Sequence, residues 1–141
     1  MVAVFTGNHG LRKEDQYISY SNDTGRTFTY YDKNPVIDLN KKDFRDPSVF
    51  WHEGTQKWIM TIALPAESKL LFYNSRDLKS WELLSEFGPA GLSKYGYECP
   101  FLIELPVDGN PANKKWVLAV SSGGGGAFMQ YFVGDFDGRT F

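Results

Sequence analysis

The chain has 141 residues, enough for one domain with its own hydrophobic core. Its 15 basic and 17 acidic residues give a net charge of −2 without a basic stripe, which argues against nucleic acid or an anionic membrane as the main partner. The single cysteine, Cys99, excludes a disulfide framework, and the two isolated histidines offer no Cys/His cluster, so we predict no metal ion and no cofactor. No apolar run approaches the length of a membrane span, and the first residues resemble a strand and not a signal peptide.

The N-terminal part of the chain predicts short strands joined by polar turns. Residues 2–6 form an apolar run, and a polar loop separates them from a second strand-like run at 16–21. The Asn-Asp-Thr-Gly sequence at 22–25 has turn chemistry of the kind that joins antiparallel strands, and residues 26–31 are the returning strand. Pro35 then breaks the pattern.

Two longer units follow, and they repeat one another. In each unit a proline precedes an apolar run, and a turn then leads to a Lys-Trp pair that opens the next strand; Pro47 and Pro100 lie 53 positions apart. No segment shows a helical hydrophobic period over helical length. The predicted strands of the two units are residues 48–52, 57–64, 69–73 and 80–83, followed by 100–105, 115–122 and 129–133.

A period of roughly 50 residues with four strands per unit is typical of a β-propeller blade. We therefore predict an all-β fold that is part of a β-propeller, with about two and a half four-stranded antiparallel blades. The outer part of one blade is placed at 1–40, one full blade at 41–92 and most of the next blade at 93–141. Because both ends fall inside blades, we expect the chain to be a fragment of a longer propeller.

The repeat also pairs two carboxylates. Asp46 directly precedes Pro47, and Glu98 stands two residues before Pro100, so both lie near the heads of equivalent strands. Two carboxylates brought together by a repeat are a candidate pair for general acid/base chemistry, or for a nucleophile and an acid.

At these residues the sequence resembles glycoside hydrolase family 32, the invertases, levanases and inulinases. Phe44-Arg45-Asp46-Pro47 and Tyr97-Glu98-Cys99-Pro100 match the family's Arg-Asp-Pro and Glu-Cys-Pro motifs, and the flanking runs are similar over essentially the whole chain. The resemblance implies a fragment of an N-terminal catalytic domain, a five-bladed β-propeller with its active site in a central funnel. It also implies retaining cleavage of β-fructofuranosyl bonds in sucrose, levan or inulin, with a fructose-containing saccharide as the partner.

The resemblance further implies a role for each site residue. Glu98 is the implied general acid/base, and Asp46 holds sugar hydroxyls and stabilises the transition state. Arg45 adds hydrogen bonds and positive charge, and Cys99 and Tyr97 complete the substrate-binding set. The chemistry fits these residue types, because the acid needs a raised pKa, which nearby carboxylates favour, and an ionised Asp46 stabilises a developing positive charge. Cys99 either tunes Glu98 by packing or is a buried small apolar residue.

Three departures from the family pattern stand out. The family's nucleophile is an aspartate in an Asn-Asp-Pro context, and here Asn22-Asp23 precedes Thr24 in a turn instead. The family's aromatic-Ser-Gly motif is missing as well. We therefore place the nucleophile outside this chain and expect the 141-residue chain alone to be inactive. Phe101 stands where a smaller or acidic residue is expected, which leaves leaving-group specificity open.

Three alternatives to hydrolysis remain open at this point. One is a fructosyltransferase that uses the same residues, another is a sugar-binding propeller without catalysis, and the weakest is a purely structural scaffold. The fructoside, the oligomeric state and the place of action also stay open, although the resemblance suggests secretion.

Several other features have simpler interpretations. The glycine run at 123–126 lacks the Lys-Ser/Thr of a phosphate loop and predicts a flexible loop between strands. Asn22-Asp23-Thr24 is either a glycosylation sequon or a hairpin turn. His9 and His52 are expected to be solvated or hydrogen-bonded, and Trp51 and Tyr95 to stack on sugars or, for Trp51, to pack between blades.

Overall fold

The structure is a computed structural model that describes residues 1–10, 13–122 and 128–141. The glycine run at 123–126, predicted to be a flexible loop, lies outside the described residues. No helix within the described ranges is long and apolar enough to cross a membrane. The described elements are β1 (Val2–Asn8), β2 (Glu14–Tyr20), β3 (Thr29–Tyr30), β4 (Ile37–Lys41), β5 (Arg45–His52), β6 (Lys57–Leu64), a 3-10 helix (Pro65–Glu67), β7 (Lys69–Ser75), β8 (Glu82–Phe87), β9 (Tyr97–Val107), β10 (Asn110–Ser122) and β11 (Phe128–Gly134).

These strands form three antiparallel sheets that follow one another along the chain. In the first sheet β2 is central, with β1 on one edge and both β3 and β4 on the other. The second sheet has the order β5-β6-β7-β8, and the third has the order β9-β10-β11. The predicted all-β fold of propeller blades is confirmed.

The outer edge of the first sheet differs from the prediction. A strand was expected at 26–31, but only Thr29–Tyr30 pairs, because the Asp23 carboxylate accepts hydrogen bonds from the backbone N–H groups of Arg26 and Thr27 and prolongs the turn. A second strand, Ile37–Lys41, was not predicted. Between the two, the Asn34 side chain takes the place of a neighbouring strand, since its amide pairs with both the N–H and the C=O of Ile18 at 2.9 and 2.8 Å.

One turn recurs in all three sheets. The Ser75 hydroxyl accepts hydrogen bonds from the backbone N–H groups of Asp77 at 3.2 Å and Leu78 at 2.9 Å. The Asp77 carboxylate accepts from the backbone N–H groups of Lys79 and Ser80, both at 2.9 Å. Ser21 with Asp23 in the first sheet, and Asp137 in the third, cap their turns in the same way. The hairpin predicted from the spacing of these polar residues therefore has one physical basis. In each case an aspartate carboxylate accepts hydrogen bonds from the backbone N–H groups of the turn.

The core lies between the sheets. Successive residues of β6 point to opposite faces, so that Ile59 and Ala63 join the cluster against the third sheet, while Met60 and Ile62 join the cluster against the first. The second sheet is thus buried on both faces. This packing brings the first residues of β5 and β9 next to each other at one end of their sheets.

Candidate active site at the heads of β5 and β9

The backbone of both strands is distorted where the site residues lie. The pairing of β5 with β6 shifts register between Arg45 and Ser48, and the pairing of β9 with β10 shifts between Glu98 and Phe101. Asp46 and Cys99 adopt left-handed conformations, with φ of 61° and 48°. A bulge of this kind turns side chains away from the regular alternation of a strand and is common next to active sites.

Arg45 connects the two strand heads. Its Nη2 donates to Oε1 of Glu98 at 2.7 Å, and its Nη1 donates to Oδ1 of Asp43 at 2.8 Å and to Oε2 of Glu14 at 3.3 Å. Partial burial opposes the charge on Arg45, but the hydrogen bonds to Glu98, Asp43 and Glu14 outweigh it and raise the pKa of the guanidinium further above its usual range. Arg45 is therefore a fixed cation among three carboxylates.

Asp46 is held from both sides. Its Oδ2 accepts a hydrogen bond of 2.9 Å from the backbone N–H of Cys99, and its own N–H donates to the Thr6 hydroxyl at 3.2 Å. The Arg45–Glu98 and Asp46–Cys99 contacts thus join equivalent positions of the two repeats, each pair 53 residues apart. The structure brings together four of the five predicted site residues, Arg45, Asp46, Glu98 and Cys99.

Cys99 contributes through its backbone as well as its thiol. The side chain is exposed, which does not fit the alternative that it is a buried small apolar residue. Its partial desolvation, the charge of Asp46 and a hydrogen bond to Asp46 raise the pKa of the thiol. At neutral pH the site therefore carries a neutral thiol beside its carboxylates.

Tyr97 does not reach the site surface, which corrects its predicted substrate contact. The ring is completely buried in the cluster between the second and third sheets. Its hydroxyl accepts a hydrogen bond of 2.7 Å from the N–H of Ala90 and donates to the C=O of the same residue. The reason is the strand alternation, because Tyr97 and Glu98 point to opposite sides of β9. Tyr97 ties the loop before β9 to the core.

Of the other aromatic candidates, Trp51 lies away from the strand heads, whereas Tyr95 and Phe101 flank the head of β9 in sequence. Trp51 is 38% exposed, but it sits near the far end of β5 from Asp46, roughly 16 Å along the strand at 3.3 Å per residue, and packs edge-on against Trp58. Tyr95 is exposed in the loop before β9, and Phe101 is exposed two residues beyond Cys99. His52 contacts the hydroxyl of Thr55, and His9 contacts Asp15 and Tyr17, as expected for hydrogen-bonded histidines.

Sequence reasoning missed the polar residues that support the site from the first sheet. Gln16 donates through Nε2 to the C=O of Phe44 at 2.7 Å and accepts from the Thr6 hydroxyl at 3.0 Å. Glu14 accepts from the N–H of Phe44 at 3.0 Å. No local signal marks these residues in the sequence, because Glu14 precedes the predicted strand in a polar stretch and only its burial in the folded sheet requires hydrogen-bond partners.

The chain is similar to known proteins over its whole length. The family model for the glycosyl hydrolases family 32 N-terminal domain matches residues 1–141. The chain is 51% identical over 144 residues to Invertase 2 of Saccharomyces cerevisiae, covering 99% of this chain and 27% of that protein. It is 47% identical over 145 residues to an extracellular exo-inulinase of Meyerozyma guilliermondii, covering 100% of this chain and 28% of that protein.

A solved structure agrees with these relatives. The β-fructofuranosidase of Schwanniomyces occidentalis, complexed with fructosyl-erythritol, superposes with a TM-score of 0.90 at 45% identity, covering 99% of this chain and 28% of that one. The chain thus spans 27% to 28% of the length of these proteins. Because the family model matches throughout, the chain belongs to glycosyl hydrolase family 32.

Proposed function

We propose that this site acts in the hydrolysis of β-fructofuranosyl bonds, with a fructose-containing saccharide as the substrate. The observation that carries the proposal is the double contact between the strand heads, in which Arg45 binds Glu98 and Asp46 accepts from the N–H of Cys99. It places two carboxylates and one cation at one end of neighbouring strands. The names of the relatives, an invertase, an exo-inulinase and a β-fructofuranosidase, support the same substrate class.

Glu98 is the proposed general acid/base. Its side chain is 36% exposed, so it reaches a bound saccharide, while the bond from Arg45 to Oε1 fixes its orientation. In the first step it protonates the glycosidic oxygen as the bond to the fructosyl carbon breaks and a bond from that carbon to the nucleophile forms. In the second step it removes a proton from the water that attacks the same carbon as the bond to the nucleophile breaks.

Asp46 is the proposed stabiliser of the transition state. The fructosyl carbon gains positive charge as the leaving group departs, and a fixed carboxylate lowers the energy of that state without reorganisation. The hydrogen bond from the Cys99 N–H to Oδ2 holds the Asp46 carboxylate in place. The same carboxylate accepts hydrogen bonds from sugar hydroxyls.

A retaining double displacement also needs a nucleophile. We propose that it lies outside these 141 residues, because none of their aspartates stands in the Asn-Asp-Pro context of the family's nucleophile. The 141-residue chain alone is then inactive. An extracellular place of action is part of the same proposal and rests on the exo-inulinase relative, which is named extracellular.

A chimera tests this function. Residues 1–141 replace the matched segment of Invertase 2, and fructose release from sucrose is measured with and without Glu98→Gln. Loss of a general acid/base lowers kcat by about 10²-fold to 10⁴-fold. Glu104→Gln is the matched control, because Glu104 lies on the same strand and pairs with Lys114 at 2.9 Å away from the site.

Three results contradict the proposal. The first is a folded chimera that is inactive, and the second is a chimera that keeps full activity with Glu98→Gln. The third is fructose release by the 141-residue chain alone that Glu98→Gln abolishes, which would place the nucleophile within the chain.

A further inference from the structure

Glu14 is a carboxylate buried behind the site. It is the first residue of β2, and only 10% of its side chain is exposed. Oε2 accepts from the N–H of Phe44 at 3.0 Å and lies 3.3 Å from Nη1 of Arg45, and Oε1 accepts from the side-chain amide of Asn8 at 3.1 Å. A buried carboxylate is costly unless charge and hydrogen bonds compensate it, and here both its oxygens are engaged.

Arg45 is the cation that faces Glu14. Lys41 lies opposite Glu14 in the pairing of β2 with β4, but its ammonium group binds Glu67 instead. Among the residues that the structure describes, Arg45 is therefore the basic group that forms an ion pair with the buried carboxylate. If Glu14 served only to accept a hydrogen bond from the Phe44 N–H, a neutral acceptor would be enough. The negative charge of Glu14 and its pairing with Arg45 therefore require a separate explanation.

The geometry of the guanidinium supplies that explanation. Nη1 is occupied by Glu14 and Asp43, while Nη2 is directed to Glu98. Because the group is planar and rigid, fixing Nη1 also fixes the direction in which Nη2 points. Glu14 holds the residue before Arg45 as well, through the Phe44 N–H, so it restrains Arg45 at both its backbone and its tip.

We propose that Glu14 is a positioning residue that orients Arg45 and, through it, Glu98. This inference rests on the proposed function of Glu98. Glu14 also offsets the charge of Arg45, so that Glu98 faces a cation already shared with Glu14 and Asp43. Asp46 and the Cys99 thiol are further titratable groups beside Glu98.

The first test uses the 141-residue chain and needs no activity. Nitrogen-15 NMR of the Arg45 side chain separates the Nη1 and Nη2 signals when the guanidinium does not rotate. We expect separate signals in the wild-type chain and merged signals in Glu14→Gln, with Asp43→Asn intermediate and Glu104→Gln unchanged. Merged signals in the wild type, or separate signals in a folded Glu14→Gln variant, overturn the proposal, and the wild-type spectrum does not depend on whether the variant folds.

The second test uses the invertase chimera. Glu14→Gln is expected to lower kcat about 10-fold to 100-fold with little change in KM, as for a misplaced catalytic group. Glu14→Gln both removes a charge near Glu98 and loosens the guanidinium that faces it, so the pH–rate profile of the chimera is expected to shift. Glu14→Asp, which keeps the charge, is expected to restore part of kcat and the wild-type profile.

An unchanged kcat and pH profile in a folded Glu14→Gln chimera overturns the proposal. An equal loss in Glu14→Gln and Glu14→Asp without a shift of the profile does so as well, since it would indicate a purely structural role. If the wild-type chimera is inactive, the proposed function fails, while the NMR test still reports whether Glu14 holds Arg45.

Discussion

Asp46 and Cys99 stand at the same position in successive repeats, and the backbone N–H of Cys99 donates to Oδ2 of Asp46 at 2.9 Å. Both residues have positive φ, a conformation that costs of order 1–2 kcal/mol for a residue with a side chain. At Cys99 the distorted backbone directs an N–H group at the neighbouring blade, and at Asp46 it directs the carboxylate to meet that group. The repeat therefore creates the site through two matching bulges, and not through the side chains alone.

Two substitutions of Asp46 distinguish the hydrogen bond to the Cys99 N–H from the negative charge of the carboxylate. Asp46→Asn keeps an oxygen that accepts from the Cys99 N–H but loses the negative charge, whereas Asp46→Ala loses both. In the invertase chimera both variants are expected to lower kcat by about 10²-fold or more, because the stabilising charge is gone. In urea denaturation of the chain, Asp46→Ala is expected to lose about 1–2 kcal/mol and Asp46→Asn less than about 0.5 kcal/mol. Equal stability losses would show that the Cys99 contact contributes nothing.

The motif residues were predictable because they are local in sequence. Arg45-Asp46 and Glu98-Cys99 each precede a proline and an apolar run, and the repeat places them at equivalent strand heads. Strand β6 was predicted with its observed bounds, since an apolar run between a turn and a polar break leaves little choice. Features that recur in both units, such as the residues before each proline, could therefore be predicted from the sequence alone.

The supporting residues could not be predicted in the same way. Thr6, Glu14 and Gln16 act across 28 to 40 residues of sequence, through bonds to the backbone around Arg45. Such contacts depend on the packing of one sheet against the next, which no local pattern encodes. The predicted substrate contact of Tyr97 was wrong for a related reason. Tyr97 is next to Glu98 in the sequence, so its side chain lies on the opposite face of β9, in the core.

Tyr97 is expected to matter for stability and not for saccharide binding. Tyr97→Phe keeps the buried ring but leaves the N–H and C=O of Ala90 without the hydroxyl that now serves both. The expected loss is about 1–3 kcal/mol in the free energy of unfolding, measured by urea denaturation of the chain. In the chimera, KM for sucrose is expected to stay unchanged. A rise in KM without a loss of stability would restore the substrate contact predicted from the sequence.

The recurring turns make the fold sensitive to acid. Hydrogen bonds from the backbone N–H groups of Ser80 and Lys79 lower the pKa of Asp77 from its ordinary value of 3.8. The pKa of Asp23 is lowered mainly by the Ser21 hydroxyl and then by Thr27, and that of Asp137 by the N–H groups of Thr140 and Arg139. A depressed pKa means that the folded state favours the carboxylate. The stabilisation is therefore complete above the unfolded value and is lost as the pH falls below about 4 through the lower folded value.

Urea midpoints of the chain between pH 6 and pH 2 test this relationship. The midpoint of the wild type is expected to fall as the pH drops below about 4. Asp77→Asn keeps an acceptor for the two N–H groups but cannot titrate, so its midpoint is expected to be lower at pH 6 and to fall less on acidification. Asp108→Asn, in the exposed turn between β9 and β10, is the control and is expected to follow the wild type. Parallel curves for the wild type and Asp77→Asn would show that the capped turn carries none of the acid sensitivity, and would direct attention to the ion pairs around Arg45 instead.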